Sequence, residues 1–410
     1  MPHPIATRRE RAGFAALLAA LATLGPFSID AYLPAFAGIQ ESLGASPIQI
    51  QQTLSAYLFA FALMFLFHGA LSDSFGRRPV ILVALVVYTV GSLGAALTGS
   101  VHGLVVWRVV QGLSVGAGMV VGRAMIRDLL GPEDAQRLMS LVTLFFGLAP
   151  AVAPVIGGWL FAELGWRSVF WFLAAVGFVL VVVSWKLLPE TLAPEQRHAF
   201  HPAVLLKGYE EVGASLRFLL LSLALGFNFN AFFLYIVSAP VFLGVHLGLG
   251  PRQYAWLFIP AIAGIMMGAQ LSGRAAGRMS PQRTIALAYG FMGAAALANL
   301  AYCFLFPPSL PWAVLPIMVY AIGSAMAMPS ITLTTLDLFP TRRGMAASLQ
   351  GFVSGMVNTL TAGVASPALS HDTRALALGM AGMLALGAVS WLAFVRLPPV
   401  RAVRRPAEVL

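Results

Sequence analysis

The chain has 410 residues, 59% hydrophobic and 10% charged, with a formal net charge of +10 and one cysteine, Cys303. So few charges cannot solvate a soluble globule of this size, which makes lipid the solvent. The positive charge does not indicate nucleic acid, because basic residues recur loop by loop instead of clustering, and one cysteine excludes an internal disulfide.

Apolar runs of about 20 residues, each enough to cross roughly 30 Å of hydrocarbon, recur along the chain. Lipid leaves backbone polar groups no outside partner, so each run is predicted to be a helix. Twelve spans are predicted, at 14–38, 50–71, 79–98, 102–126, 138–163, 167–188, 216–244, 253–273, 282–306, 311–336, 345–370 and 375–397. The fold class is all-α integral membrane, with a six-helix bundle over 1–188, a polar cytoplasmic linker over 189–215 and a second six-helix bundle over 216–410.

Of 25 Lys and Arg, 21 fall on one alternating set of loops and tails, including Arg8, Arg9, Arg11, Arg401, Arg404 and Arg405. Only Arg167, Arg252 and Arg374 fall on the other set, and Arg108 lies inside a span. The positive-inside rule then places both termini in the cytoplasm. The first run has signal-peptide features, with Arg8 to Arg11 ahead of an apolar stretch and small residues near 20–23. Cleavage would remove the helix of Asp30, so it is read as a retained span.

Span 1 carries FSIDAYLPAF, in which Asp30 is the only acid within a predicted span interior. The loop after span 2 reads GALSDSFGRRP, short enough that spans 2 and 3 are antiparallel neighbours. Within it Gly76 permits a tight turn, Asp73 and Arg77 are four residues apart, and a carboxylate could cap a neighbouring helix. Span 4 places Arg108 in hydrocarbon with Gln111 and Gly112 on the same face. A charge there needs protein or a wet cavity around it. Asp30 and Arg108 both lie roughly 10 Å below the same surface at 1.5 Å per residue. At 4 Å and an effective dielectric of about 20, pairing would gain about 4 kcal/mol and hold Asp30 ionised. Separation would favour its protonation, as a proton carrier requires; the alternative is an inert pair that fixes helix packing.

In span 5, Gly147, Pro150, Pro154, Gly157 and Gly158 form a run of kinks and close approaches. Asn228, Asn230, Phe232, Phe233 and Tyr235 of span 7, with Tyr32 and Tyr57, are the candidate lining of an apolar cavity with few polar groups. Segments 127–141 and 336–349 are related, and Pro34 and Pro240 are similarly offset, so the halves read as parallel repeats with the site between them. His68 and His246 lack metal-ligand spacing, and no phosphate-binding fingerprint is present. No metal or cofactor is expected, and the expected energy source is an ion gradient, read here as a proton gradient.

The loop at 69–79 resembles the major facilitator signature between helices 2 and 3, with Gly69, Leu71, Asp73, Gly76, Arg77 and Arg78 in register. That resemblance implies a conformational latch for the outward-open state, Asp73 against helix 11 and Arg77 against an acid after helix 4, here Asp128. The R-x-x-Q-G run at 108–112 resembles the helix 4 motif of proton-coupled members. Span 5 resembles the antiporter motif, with Ala153 where glycine is usual. DAYLPAF at 30–36, GWRSVFWFL at 165–173 and PET at 189–191 resemble the Bcr/CflA-type exporters of bicyclomycin, chloramphenicol and florfenicol. The function implied is export of small hydrophobic drugs in exchange for protons, in a bacterial inner membrane. Asp30 would carry the proton, with Arg108 and Gln111 tuning it. The expected partners are drug, protons and bilayer, with no nucleic acid, and the chain is expected to be monomeric. A proton symporter importing a metabolite and a non-transporting sensor are the alternatives.

Overall fold

The computed structural model describes residues 8–398. Arg401, Arg404 and Arg405 lie outside the described residues, as do the side chains of Arg8, Arg9 and Arg11. The main helices are α1 Arg8–Asp30, α2 Pro47–Met64, α3 Arg77–Leu97, α4 Val101–Leu129, α5 Pro132–Leu164, α6 Arg167–Leu187, α7 Leu216–Val237, α8 Ala255–Ala275, α9 Pro281–Leu305, α10 Leu315–Asp337, α11 Arg343–Leu360 and α12 Thr373–Arg396. α4 is interrupted at Gly116, and α2 continues after a break as His68–Phe75.

Among the described residues ten helices are long and apolar enough to cross a bilayer, and α2 with its continuation, bent by 49°, makes an eleventh. The twelve spans read from the sequence thus include one that the composition of the helix does not support. α11 interleaves Arg343, Ser348, Gln350, Ser354 and Asn358 with its apolar residues. It packs against α2, α7 and α10; Asn358 accepts from Asn230 of α7 at 2.7 Å and Gln350 donates to Thr335 of α10 at 3.0 Å. A polar helix is tolerable in lipid when neighbours satisfy it.

The packing repeats between the halves. α1 packs on α5, α2 on α4 and α3 on α6; α7 packs on α11, α8 on α10 and α9 on α12. The main seams between them are α2 with α11 and α5 with α8. Each half also breaks its first helix near a proline, α1 ahead of Pro34 and α7 ahead of Pro240. The stretch between α6 and α7 is polar, yet Pro202–Gly213 forms a helix whose Tyr209 and Val212 bury against Phe218, Ala346 and Leu349.

Candidate functional site: a buried arginine and the seams around it

The local cause of the site is Pro34. It has no N–H to offer the carbonyl of Asp30, so the ladder of α1 fails there. The Tyr32 amide turns to the Ile29 carbonyl at 3.3 Å, and the chain continues as a tight turn over Leu33–Ala35. The carbonyl of Ser28, which would take the Tyr32 amide in an unbroken helix, is thereby open to another donor. Asp30, 4% exposed, ends the helix, and its carboxylate has no hydrogen bond or ion pair among the described residues.

Arg108 of α4 reaches the opened carbonyl. It is fully buried, with its guanidinium 4.1 Å from the Tyr57 ring centroid and 4.6 Å from that of Tyr32. Nη1 donates to Gln111 Oε1 at 2.9 Å and to the Ser28 carbonyl at 3.4 Å, while Nε and Nη2 have no hydrogen-bond partner among the described residues. Gln111 in turn donates to Ser92 Oγ of α3 at 2.7 Å. The rings are held by their hydroxyls, Tyr57 to the Gly25 carbonyl at 3.0 Å and Tyr32 with Thr53 Oγ1 at 2.6 Å. One guanidinium therefore ties α1, α2, α3 and α4 together. Desolvated cation–π contacts are worth about 2 kcal/mol, and each unpartnered buried donor costs about 1–3 kcal/mol.

The ion pair expected between Asp30 and Arg108 is absent among the described residues. Equal depth fixes the axial position of two residues but not the direction in which they face, which changes by about 100° per residue. The Ser28 carbonyl, two residues before Asp30, takes the guanidinium instead. Ser28 and Ser92 escaped the sequence reading because a serine in an apolar helix carries no distinguishing signal; here both are fully buried.

The loop between α2 and α3 gathers a second cluster. Arg77 pairs with Asp73, donates to Ser72 Oγ at 2.7 Å and meets Asp128 at 3.1 Å. Thr191 also donates to Asp128, at 2.8 Å. Asp73, whose side chain is half exposed, makes no ion pair or hydrogen bond to α11 among the described residues. The Arg77–Asp128 contact implied by the resemblance is present, whereas the Asp73 contact to helix 11 is not. The capping carboxylate is Glu190, which accepts from the Arg77 amide at 3.0 Å and the Arg78 amide at 3.3 Å. Arg78 itself reaches the Trp185 carbonyl at 2.6 Å. Gly76 has φ +97°, and a Cβ there would collide with Glu190 and Arg197. Gly69 has open space around it. Glu190 stood in the sequence only as part of PET; an acid just past a span end is the signal that marks it.

The α5 residues separate. A Cβ on Gly157 would strike the Ala31 backbone in the α1 break, and one on Gly158 would strike the Pro251 carbonyl of the other half. Beside it Glu163 pairs with Arg252 across the α5–α8 seam. Pro150 and Pro154 lie within the helix, and Gly147 has no neighbour within 4 Å of a would-be Cβ.

The α7 residues are not one lining either. Asn228 donates to the Tyr289 hydroxyl at 2.9 Å and Tyr235 accepts from Asn299 at 2.7 Å, both toward α9. Asn230 turns to α11, while Phe232 and Phe233 pack on Phe229 at 5.0 and 5.3 Å. Consecutive helical positions point in different directions, so residues adjacent in sequence serve different seams. Asn358 of α11, which the sequence reading omitted, is the partner that distinguishes Asn230 from Asn228.

With this geometry in place, comparison with known proteins is direct. The sequence profile of the Major Facilitator Superfamily matches residues 16–366. The chain belongs to that superfamily. It is 28% identical to the bicyclomycin resistance protein homolog of Haemophilus influenzae, over 88% of this chain and 90% of that protein. It is 30% identical to the uncharacterized MFS-type transporter YdgK of Bacillus subtilis, over 96% and 98%. It is also 28% identical to multidrug resistance protein D of Escherichia coli, over 94% and 96%. These relatives agree with the resemblance to Bcr/CflA-type exporters. In fold it is similar to a bacterial homolog of the human lysosomal transporter Spinster, with TM-score 0.73 and 18% identity over 95% of this chain and 97% of that one. A D-xylose-proton symporter gives TM-score 0.71 and 15% identity over 96% and 98%. The chain is thus a multi-pass membrane transporter and not an enzyme.

Proposed function

We propose that this major facilitator exports small hydrophobic or amphiphilic drugs in exchange for protons, by alternating access, from a bacterial inner membrane with both termini in the cytoplasm. The observation that carries the reading is Asp30, the only buried acid among the described residues, without a hydrogen bond or ion pair there, at a break in the helix whose Ser28 carbonyl takes the Arg108 guanidinium. An acid in such a place needs either a proton or the arginine as its partner. Exchange between those two partners, as the halves rock, is a means of loading a proton on one side and releasing it on the other.

Export as the direction draws support from the relatives named for bicyclomycin resistance and multidrug resistance. The arginines at the end holding the α2–α3 and α8–α9 loops support a cytoplasmic placement of that end. The drug site is proposed between the halves, with Asn230 and Asn358 of the α7–α11 pair supplying polar groups beside apolar walls. A proton moving down the membrane potential supplies about 2.3 kcal/mol per 100 mV.

The test is drug-dependent proton movement in proteoliposomes. Wild type should release protons when a phenicol is transported and Asp30→Asn should not. Drug-driven proton release by Asp30→Asn at the wild-type rate would remove Asp30 from the mechanism.

A further inference from the structure

Helix α2 loses its ladder over 65–67. The amides of Phe65, Leu66 and Phe67 turn to the carbonyls of Ala62, Leu63 and Met64 at 3.1–3.2 Å, and the helix resumes at His68 bent by 49°. In an unbroken helix the Leu66 carbonyl would accept the Ala70 amide. Here it accepts the hydroxyl of Tyr209 at 2.8 Å. Tyr209 belongs to the linker helix, which packs on α7 and α11 through Tyr209, Val212, Phe218, Ala346 and Leu349. Glu211 of the same helix pairs with Arg342 just before α11. The bond therefore joins the second half to the first, at a backbone carbonyl that the bend made available.

The earlier part of the linker grips the other end of the same short helix. The His198 amide donates to the Asp73 carbonyl at 3.3 Å, and Glu190 caps α3 just beyond. The segment His68–Phe75 is thus held at both ends by one connector, next to a tight seam where Phe65 packs on Gly351 and Ala62 on Gly355.

We propose that Tyr209 is a positioning residue for transport: it holds α2 bent in this state, and the Leu66 carbonyl exchanges the Tyr209 hydroxyl for the Ala70 amide when α2 straightens in the opposite state. Tyr209 packs on the second half and Leu66 belongs to the first, so a rocking of the halves that parts them breaks the 2.8 Å bond. A part-buried carbonyl that loses this partner needs another, and the change that supplies one from within α2 is repair of its own ladder. Burial raises the Tyr209 phenol, against a smaller opposing effect of Ser348, so it remains an O–H donor through neutral pH. The inference rests on alternating access and not on the identity of the drug or the coupling ion.

The experiment uses the full chain in nanodiscs, comparing wild type with Tyr209→Phe and Glu211→Gln. Tyr209→Phe keeps the packed ring and deletes only the hydroxyl. It should shift the bent-to-straight ratio roughly five-fold, the worth of one neutral hydrogen bond. The readouts are slower hydrogen exchange at the Ala70 amide and a changed distance between spin labels on the Pro202–Gly213 helix and His68–Phe75. In proteoliposomes the kcat for chloramphenicol should change with KM held, because the substrate site is untouched. Glu211→Gln should match wild type in all of these. Wild-type exchange and distances in Tyr209→Phe would overturn the proposal, as would an equal shift in Glu211→Gln, which would assign the effect to linker docking. Failure of wild type to move chloramphenicol would count against the proposed drug and leave the exchange and distance readouts to decide the role of Tyr209.

Discussion

Arg108 lies 4.1 Å from the Tyr57 ring and bonds the Ser28 carbonyl, while Asp30, two residues beyond Ser28, has no hydrogen bond or ion pair among the described residues. The cation is stabilised by ring faces and neutral oxygens, so it can remain in place whether the acid is charged or neutral. A permanent ion pair would bind the two groups to one arrangement; none is present among the described residues, as the proposed proton exchange at Asp30 requires.

Tyr57→Phe keeps the face beneath Arg108 and loses the bond to the Gly25 carbonyl, whereas Tyr57→Leu loses both. The expected costs are about 1 kcal/mol for the hydroxyl and about 2 kcal/mol more for the face. Thermal melting in detergent should rank wild type above Tyr57→Phe above Tyr57→Leu.

Arg108→Lys keeps the charge but cannot reach Gln111 and Ser28 while lying flat between two rings. Transport should fall at least ten-fold, with Gln111→Ala less severe because it removes one of the two acceptors. Equal activity of Arg108→Lys and wild type in a vesicle transport assay would show that only the charge matters.

Glu190→Ala removes a cap from the α3 amides and a partner from Arg197. Loss of an N-terminal cap costs about 1 kcal/mol. Glu190→Gln should recover part of it by keeping an acceptor. Asp73→Asn should do less, since its carboxylate is half exposed and Arg77 retains Asp128. Melting temperatures of the three variants test the order.

Gly158→Ala places a methyl against the Pro251 carbonyl of the opposite half, where no rotamer change relieves it. Closure of the α5–α8 seam at that end should be impaired, read as a longer distance between labels at Glu163 and Arg252. Gly147→Ala, with open space around it, should leave that distance and the transport rate unchanged.

Asn228→Ala should lower stability by about 1–2 kcal/mol through loss of the Tyr289 bond while leaving the KM for drug alone. Asn230→Ala, facing α11, should alter KM. The reverse pattern in a transport series would place the substrate on the α9 side of α7.

Much of this was legible along the chain because lipid imposes a simple rule. Apolar length identified the helices, and it overstated α11, whose own composition is more polar than that of the other spans. The Asp73–Arg77 and Arg108–Gln111 contacts follow from spacings of four and three within a helix or turn, so sequence distance translates into spatial distance. Asp30 and Arg108 lie on different helices, and equal depth gave no information about facing. The same limit applied to α7, where Asn228 and Asn230 look alike in sequence and serve opposite seams.

By itself the sequence determined that the chain crosses a membrane repeatedly, that its halves are related, and that an acid and an arginine lie within hydrocarbon. Each of these depends on properties local to a segment: apolar length, turn chemistry and the cost of burying charge. Only the tertiary structure decided which groups meet. It put Ser28 instead of Asp30 on Arg108, Glu190 instead of Asp73 on the α3 cap, and Tyr209 on the carbonyl freed by the bend in α2. Those partners are set by helix rotation and by where a helix breaks, and both are outcomes of packing between segments distant in the chain.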